Sequence, residues 1–84
     1  MTPNDIEAFG FIPMTAEERW SEMGFRKTIK CKLLPPFTLR LEKVHLNETD
    51  WRVIKDSVLV TIVHSIEQLK TAILVLTLFE RDTL

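Results

Sequence analysis

The sequence has one cysteine and two histidines, the residue types that serve most readily as a nucleophile, a base near neutral pH or a zinc ligand: Cys31, His45 and His64. A reactive thiolate needs a neighbouring base or cation, and a zinc centre needs several such ligands close together. Cys31 is the only cysteine, and no histidine lies near it in the sequence. We interpret Cys31 as a small buried hydrophobe and His64 as a polar-face or interface residue. The sequence therefore predicts no catalytic residue and no metal ligand.

Motifs that hold a phosphate or a cofactor are also missing from the sequence. Two glycines in 84 residues do not build a phosphate-cradling loop. The nucleophile elbow, the paired-cysteine motif and the helical zinc motif do not occur either. We therefore predict a protein that is not an enzyme, uses no cofactor and acts by binding.

The residues best suited to binding an anion are basic. Residues 25–46 carry six bases and one acid, whereas residues 1–24 have a net charge of −4 and residues 47–84 a net charge of −2. Four of these bases share the outward side of two predicted strands, a geometry suited to phosphate or to an acidic protein surface. They are Arg26, Lys30, Lys32 and Arg40. No aromatic residue is interleaved among them, so stacking of bases is not supported, and a simple solvated strand face remains the alternative.

A strand-type alternation of apolar and polar residues positions these bases. It runs through residues 25–33 and 37–42, and it predicts an antiparallel β-hairpin within residues 25–46. Two adjacent prolines in the link exclude a two-residue primed turn. The apolar phase slips after the second run, which predicts a bulge near Lys43.

Residues 1–24 are predicted to form two short helices. Thr2 is a suitable cap for the first helix, and a proline follows it at the favoured first position. Thr15 and Glu18 have the spacing of a capping box, which predicts a second helix over residues 16–23.

Two tryptophans lie in or next to predicted helices. Trp20 and Trp51 are expected to anchor these helices onto the hairpin. The alternative is that they are hot spots facing a partner protein, a role for which tryptophan is favoured.

Residues 57–79 contain two apolar, β-branched runs around a polar insert. Charges at Glu67 and Lys70 interrupt the window that a membrane span would need. Two strands, or a mixture of helix and strand, are the alternatives, although the insert has no Gly, Pro, Asn or Asp with which to turn. A spacing of three and four residues from Trp51 onward instead favours one long helix, capped at Asn47 or Thr49.

Such a helix is apolar around much of its circumference, which the hairpin and the short helices cannot cover. We expect a second copy to cover it, since large apolar surfaces mark interfaces and two-fold symmetry is the commonest arrangement. The expected interface consists of Val58, Ile62, Ile66, Leu69, Ile73 and Leu76. The predicted fold is α+β in one domain of residues 1–84, with short N-terminal helices, an antiparallel β-hairpin and a long C-terminal helix that forms a homo-oligomer.

The run MTAEERWSEMGF, after an opening like IEAFGFIP, resembles the starts of small accessory proteins encoded by bacteriophages and prophages. The resemblance covers about the first 25 residues and brings no functional motif with it. It implies a short protein that works by binding, for instance by blocking a host defence or regulatory protein. The opening has no basic n-region, and the chain has a single cysteine, so we expect a cytoplasmic location.

These observations predict a non-enzymatic binding protein that inhibits or modulates a host protein by direct contact. The contact surface would be the acidic N-terminal helices or the basic hairpin. The alternative function is binding of nucleic acid or nucleotide phosphate through the four bases. The expected partners are a second copy of the chain and another protein, with no membrane involved.

Overall fold

The computed structural model describes residues 1–47 and 49–78. Its five strands form a single antiparallel sheet in which the spatial order of the strands follows the sequence. The elements are α1 (Pro3–Ala8), β1 (Ile12–Pro13), β2 (Gly24–Ile29), β3 (Phe37–Lys43), β4 (Trp51–Lys55), β5 (Val58–Val63) and α2 (Ile66–Leu76). The two edges of the sheet are therefore β1 and β5.

The predicted long C-terminal helix is wrong. Residues 51–63 form the hairpin of β4 and β5, and α2 has only 11 residues. Asp56 and Ser57 form the turn between the strands, and both have positive φ, 51° and 64°, as a type I′ turn requires. Aspartate enters this left-handed region more readily than most residues, and the β-branched residues on either side suit a pleated sheet.

The polar insert, residues 64–71, contains the link between β5 and α2 and the first turns of α2. It needs no tight turn, because it leads from a strand into a helix. Ser65 caps α2, because its hydroxyl accepts a hydrogen bond from the Gln68 amide at 3.2 Å. The Gln68 side chain returns to accept a hydrogen bond from the His64 amide at 2.9 Å. This reciprocal arrangement resembles a capping box, so Ser65 and Gln68 were a helix-start signal that the long-helix interpretation overlooked.

The six residues of the predicted oligomer interface are divided between two elements. Four of them lie on α2 and pack against the protein's own sheet: Ile66, Leu69, Ile73 and Leu76. Val58 and Ile62 belong to β5 instead and are exposed. The spacing of three and four residues holds within α2, but the apolar face that it forms packs on the core of the same chain.

The predicted β-hairpin corresponds to β2 and β3, which pair in antiparallel register from Gly24 opposite Glu42 to Ile29 opposite Phe37. β2 ends at Ile29, four residues before the predicted end. The register irregularity lies between β4 and β5, at residues 53–54, and β3 runs regularly through the predicted bulge to its end.

The first N-terminal helix is present and the second is not. In α1, the Thr2 hydroxyl accepts a hydrogen bond from the Asp5 amide, and the Asp5 carboxylate accepts one from the Thr2 amide. Residues 14–23, which we call the Trp20 loop, form turns and bends. The Thr15 amide donates to Glu18 Oε1 at 3.2 Å, as in a capping box, but the Thr15 hydroxyl donates to the same oxygen at 3.2 Å and the Glu18 amide bonds the Thr15 carbonyl instead. The predicted capping box is therefore only half present, and no helix follows it.

The predicted helix entry after β3 is a turn between strands. Asn47 Oδ1 accepts hydrogen bonds from the Thr49 and Asp50 amides, both at 2.9 Å. Asparagine favours this local contact as readily as it favours a helix cap, so its presence did not distinguish the two outcomes.

The main core lies between one face of the sheet and the two helices. Trp51 is fully buried there, with the Phe25 ring edge-on at 5.6 Å between centroids. Its indole Nε1 donates a hydrogen bond to the Met1 carbonyl at 3.1 Å. On the opposite face Met14 and Ile54 are also buried but lie outside this cluster. The sheet thus has a helical cover on one face and the Trp20 loop on part of the other.

Replacing Ser57 with glycine should raise the free energy of unfolding by about 0.5–1 kcal/mol, because glycine adopts positive φ without a Cβ clash. Urea unfolding followed by far-UV circular dichroism measures the change. Ser57→Ala is the matched control, since it removes the hydroxyl and keeps the Cβ. Equal stabilities of the two variants would contradict the assignment of a strained turn.

Candidate functional site

The structure separates the four predicted anion-binding residues into two pairs. Arg26 and Arg40 are directly opposite each other on β2 and β3, whereas Lys30 and Lys32 follow the end of β2 and are exposed. Arg26 Nε lies 3.4 Å from a Glu18 carboxylate oxygen, an ion pair without an aligned hydrogen bond. Both arginines thus pair with carboxylates of their own chain, Arg26 with Glu18 and Arg40 with Glu42.

Glu42 is the centre of the most densely hydrogen-bonded cluster in the described part of the chain. Its side chain is on β3 and the residue is only 1% exposed. The carboxylate accepts hydrogen bonds from the Trp20 amide at 3.1 Å, from the Ser21 amide at 3.1 Å and from the Ser21 hydroxyl at 3.0 Å. Arg40 Nη2 donates to Glu42 Oε2 at 2.6 Å. A buried carboxylate is tolerable because it is paired and hydrogen-bonded in this way.

The Trp20 loop is drawn onto the sheet by these contacts. Arg40 Nη2 also donates to the Glu18 carbonyl at 2.8 Å, so the guanidinium joins β3 to the loop. Gly24, opposite Glu42, leaves room for the loop, since a Cβ there would lie 2.5 Å from Met14 Cε and 3.1 Å from Glu42 Oε1. The loop conformation therefore depends on a residue about 20 positions away, which no local pattern reveals.

Glu18 is held in its ionised form within the loop. The hydrogen bond from the Thr15 amide lowers the pKa of the Glu18 carboxyl, and the Thr15 hydroxyl lowers it further. Partial desolvation opposes this shift, and the charges of Arg26 and Arg40 add to it. The cluster is consequently a network of opposite charges, although the Nε atoms of Arg26 and Arg40 are buried without a hydrogen-bond partner.

The Trp20 side chain extends from the Trp20 loop into solvent. It is 65% exposed, whereas Trp51 is fully buried. The Arg40 guanidinium lies 4.3 Å from the Trp20 ring centroid, a cation–π contact that orients the ring. The expectation that the two tryptophans anchor helices onto the hairpin is wrong for both, because Trp20 is exposed on a loop and Trp51, although a core residue, lies on strand β4. Ile12, also exposed, points to the same face of the sheet, because it pairs with Arg26.

A second surface lies at the other edge of the sheet, along β5. Five of its six residues are exposed, and none is charged. A groove of about 550 Å³ runs between β5 and α2, with Val60, Ile62, Ala72 and Val75 among its lining residues. We call the exposed residues of β5 and the residues that line this groove the β5 edge surface. Sequence reasoning identified its apolar character but assigned it to a helix.

The Glu42 carboxylate is surrounded by donors and is not placed as a base towards solvent. Within residues 1–47 and 49–78, no three His, Cys, Asp or Glu side chains come together in a way that could hold a metal ion. No helix in the same residues has the length and apolar character to cross a membrane.

Comparison of the chain with protein-family models, with curated proteins and with solved structures finds no match. Function must therefore be argued from the two surfaces themselves. The sequence contained one signal for the surface formed by Glu42 and the Trp20 loop: Glu42 is the single acid within the basic residues 25–46.

Proposed function

We propose that this chain is a non-enzymatic protein-binding factor that contacts its target through the Trp20 loop. The observation that carries the proposal is a tryptophan that is 65% exposed on a loop whose backbone is anchored by a buried carboxylate. Tryptophan is the residue type most enriched at binding hot spots, and a loop that is already ordered loses little entropy on binding.

The charge of the loop indicates the chemistry of the target. Residues 14–23 contain three acids and one base, and Glu17 and Glu22 are exposed. A target surface with an apolar pocket and a basic rim would complement the indole and these carboxylates. The resemblance of the N-terminal residues to phage and prophage accessory proteins supports a bacterial regulatory or defence protein as that target. The single cysteine supports action in the cytoplasm.

Anion binding through the basic hairpin is the alternative proposal. Its weakness is that Arg26 and Arg40 are engaged by Glu18 and Glu42, which leaves Lys30 and Lys32 as the exposed bases of the predicted set. Affinity for nucleic acid would fall steeply with salt concentration, because binding releases counterions.

Affinity capture from a bacterial lysate, followed by mass spectrometry, tests the proposal. Three baits are compared: the unaltered chain, Trp20→Ala, and Lys30→Glu combined with Lys32→Glu. We expect the unaltered chain and the lysine variant to retain the same protein, and Trp20→Ala to lose it by at least about tenfold. Circular dichroism checks that all three baits are folded.

Two results would contradict the Trp20 loop as the contact surface. One is equal capture of the same protein by the unaltered chain and by Trp20→Ala. The other is loss of capture only in the lysine variant together with recovery of nucleic acid, which would establish the alternative function.

A further inference from the structure

We propose that two copies of this chain pair through β5, antiparallel about a two-fold axis, so that their two sheets become one continuous sheet. The proposal concerns the β5 edge surface and is independent of the Trp20 loop. Antiparallel pairing of a strand with its own copy places each outward N–H opposite a C=O of the other copy, which makes the contact isologous.

The two edges of the sheet differ in how they are protected. Proteins protect exposed edges with short strands, prolines or charges. β1 has two residues, one of which is Pro13, so this edge is protected in two ways. β5 has six residues, with no proline and no charge. Among the described residues no strand pairs with the outer side of β5, although its sequence has none of the usual protections.

β5 carries exposed aliphatic side chains on both faces. The register with β4 places Val58 and Thr61 on the helical side of the sheet, opposite Lys55 and Val53. Leu59 and Ile62 lie on the other side and are 52% and 49% exposed. A strand added to this edge therefore meets aliphatic neighbours above and below, as cross-strand pairs require.

A groove lies beside β5. Its far wall is formed by α2, where Val75 is 63% exposed. A two-fold axis perpendicular to the sheet leaves both copies of α2 on the same face. Each α2 can then cover part of the β5 strand that the other copy contributes, and the exposed Val75 gains a partner.

The size and the charge of the surface fit a second copy. Five aliphatic side chains that are about half exposed leave roughly 400 Å² of apolar area on each copy, about half of the roughly 800 Å² that each partner of a stable interface buries. They are Val58, Leu59, Val60, Ile62 and Val75. β5 carries no charge, so it cannot attract a partner protein of opposite charge. A second copy of β5 offers an uncharged, apolar strand, which matches this surface.

Light scattering after size-exclusion chromatography tests the proposal. We expect a mass of twice 9.8 kDa at micromolar concentrations of the chain. Ile62→Lys should weaken the dimer by about 100-fold or more, since it places an unpaired charge in the contact. Thr28→Lys adds the same charge at an exposed residue of the inner strand β2 and should leave the dimer intact. A monomer of the unaltered chain at all concentrations would overturn the proposal.

The pairing geometry is measured on the unaltered sequence, so it does not depend on any variant folding. Isotope-filtered NMR on a mixture of labelled and unlabelled chains should detect contacts between residues near Val58 of one copy and residues near Val63 of the other. Contacts between copies that involve only the Trp20 loop or only α2 would overturn β5 pairing. Trp20→Ala does not alter β5. Capture of the target therefore tests the proposed function, and dimer formation separately tests the pairing of β5.

Discussion

Replacing Trp51 with alanine should lower the free energy of unfolding by about 3–5 kcal/mol. The side chain is fully buried between the sheet and the helices and contacts the Phe25 ring. The substitution would leave a large cavity in a small core and remove the indole hydrogen bond to the Met1 carbonyl. A loss of this size is a large fraction of the stability of a small domain, so the variant should be partly unfolded at 37 °C.

Urea unfolding followed by far-UV circular dichroism measures this loss, and Trp20→Ala is the matched control. The same substitution at Trp20 should cost about 1 kcal/mol or less, because that ring is 65% exposed and its main contact is the Arg40 guanidinium. Trp51→Phe should fall between the two, since it keeps a ring and loses the N–H donor. Similar losses for the two alanine variants would show that the assignment of buried and exposed tryptophan is wrong.

Replacing Glu42 with alanine should cost a comparable 3–5 kcal/mol or so, the typical result of removing one partner from a buried charged pair. The Trp20 and Ser21 amides and the Arg40 guanidinium would lose their common acceptor. Glu42→Gln should cost less, because the side-chain oxygen still accepts while the amide nitrogen faces donors. In both variants the Trp20 loop should detach from the sheet.

Two measurements distinguish loosening of the loop from general destabilisation. Hydrogen exchange of the Trp20 and Ser21 amides should accelerate more than that of the β3 and β4 amides in Glu42→Gln. Glu22→Ala is the control, since Glu22 is half exposed and pairs with Lys43 at 3.3 Å on the surface, and its loss should change stability by about 0.5 kcal/mol or less. If Glu42→Ala and Glu22→Ala have equal stability, the buried carboxylate does not anchor the loop.

Detachment of the loop would also remove the support of the proposed contact surface. Glu42→Gln should therefore reduce capture of the target while Trp51→Phe, which disturbs the opposite face of the sheet, should reduce it much less. This comparison links the stability of the Glu42 cluster to binding through the preorganisation of Trp20.

Much of the local structure followed from patterns within a few residues of each other. The Thr2 cap and the alternation of β2 and β3 gave correct elements, because a cap or a pleated face depends on immediate neighbours. Two equally local signals were overlooked. They are the Asp56–Ser57 turn and the Ser65–Gln68 cap, which together mark the end of β4 and the start of α2.

The candidate site was less predictable than the elements. Arg26 and Arg40 were correctly expected to lie side by side, but their carboxylate partners come from the Trp20 loop and from Glu42. The capping box at Thr15 formed only in part and did not start a helix. A loop whose residues 20 and 21 donate to one buried carboxylate, itself paired with Arg40, is a long-range arrangement.

By itself, the sequence determined that the protein has no motif for catalysis, that its centre is an antiparallel hairpin and that residues 57–79 carry more apolar surface than a small chain easily covers. Only the tertiary structure decided how that surface is divided. A β-branched run that is apolar on both sides fits a helix or a strand equally well by periodicity, and the choice rests with its neighbours. Here β3 offers a partner edge to β4, and β4 to β5, so residues 51–63 complete the sheet and α2 covers its core. The exposure of Trp20 was decided in the same way, because Glu42 holds the loop where the indole cannot reach the core.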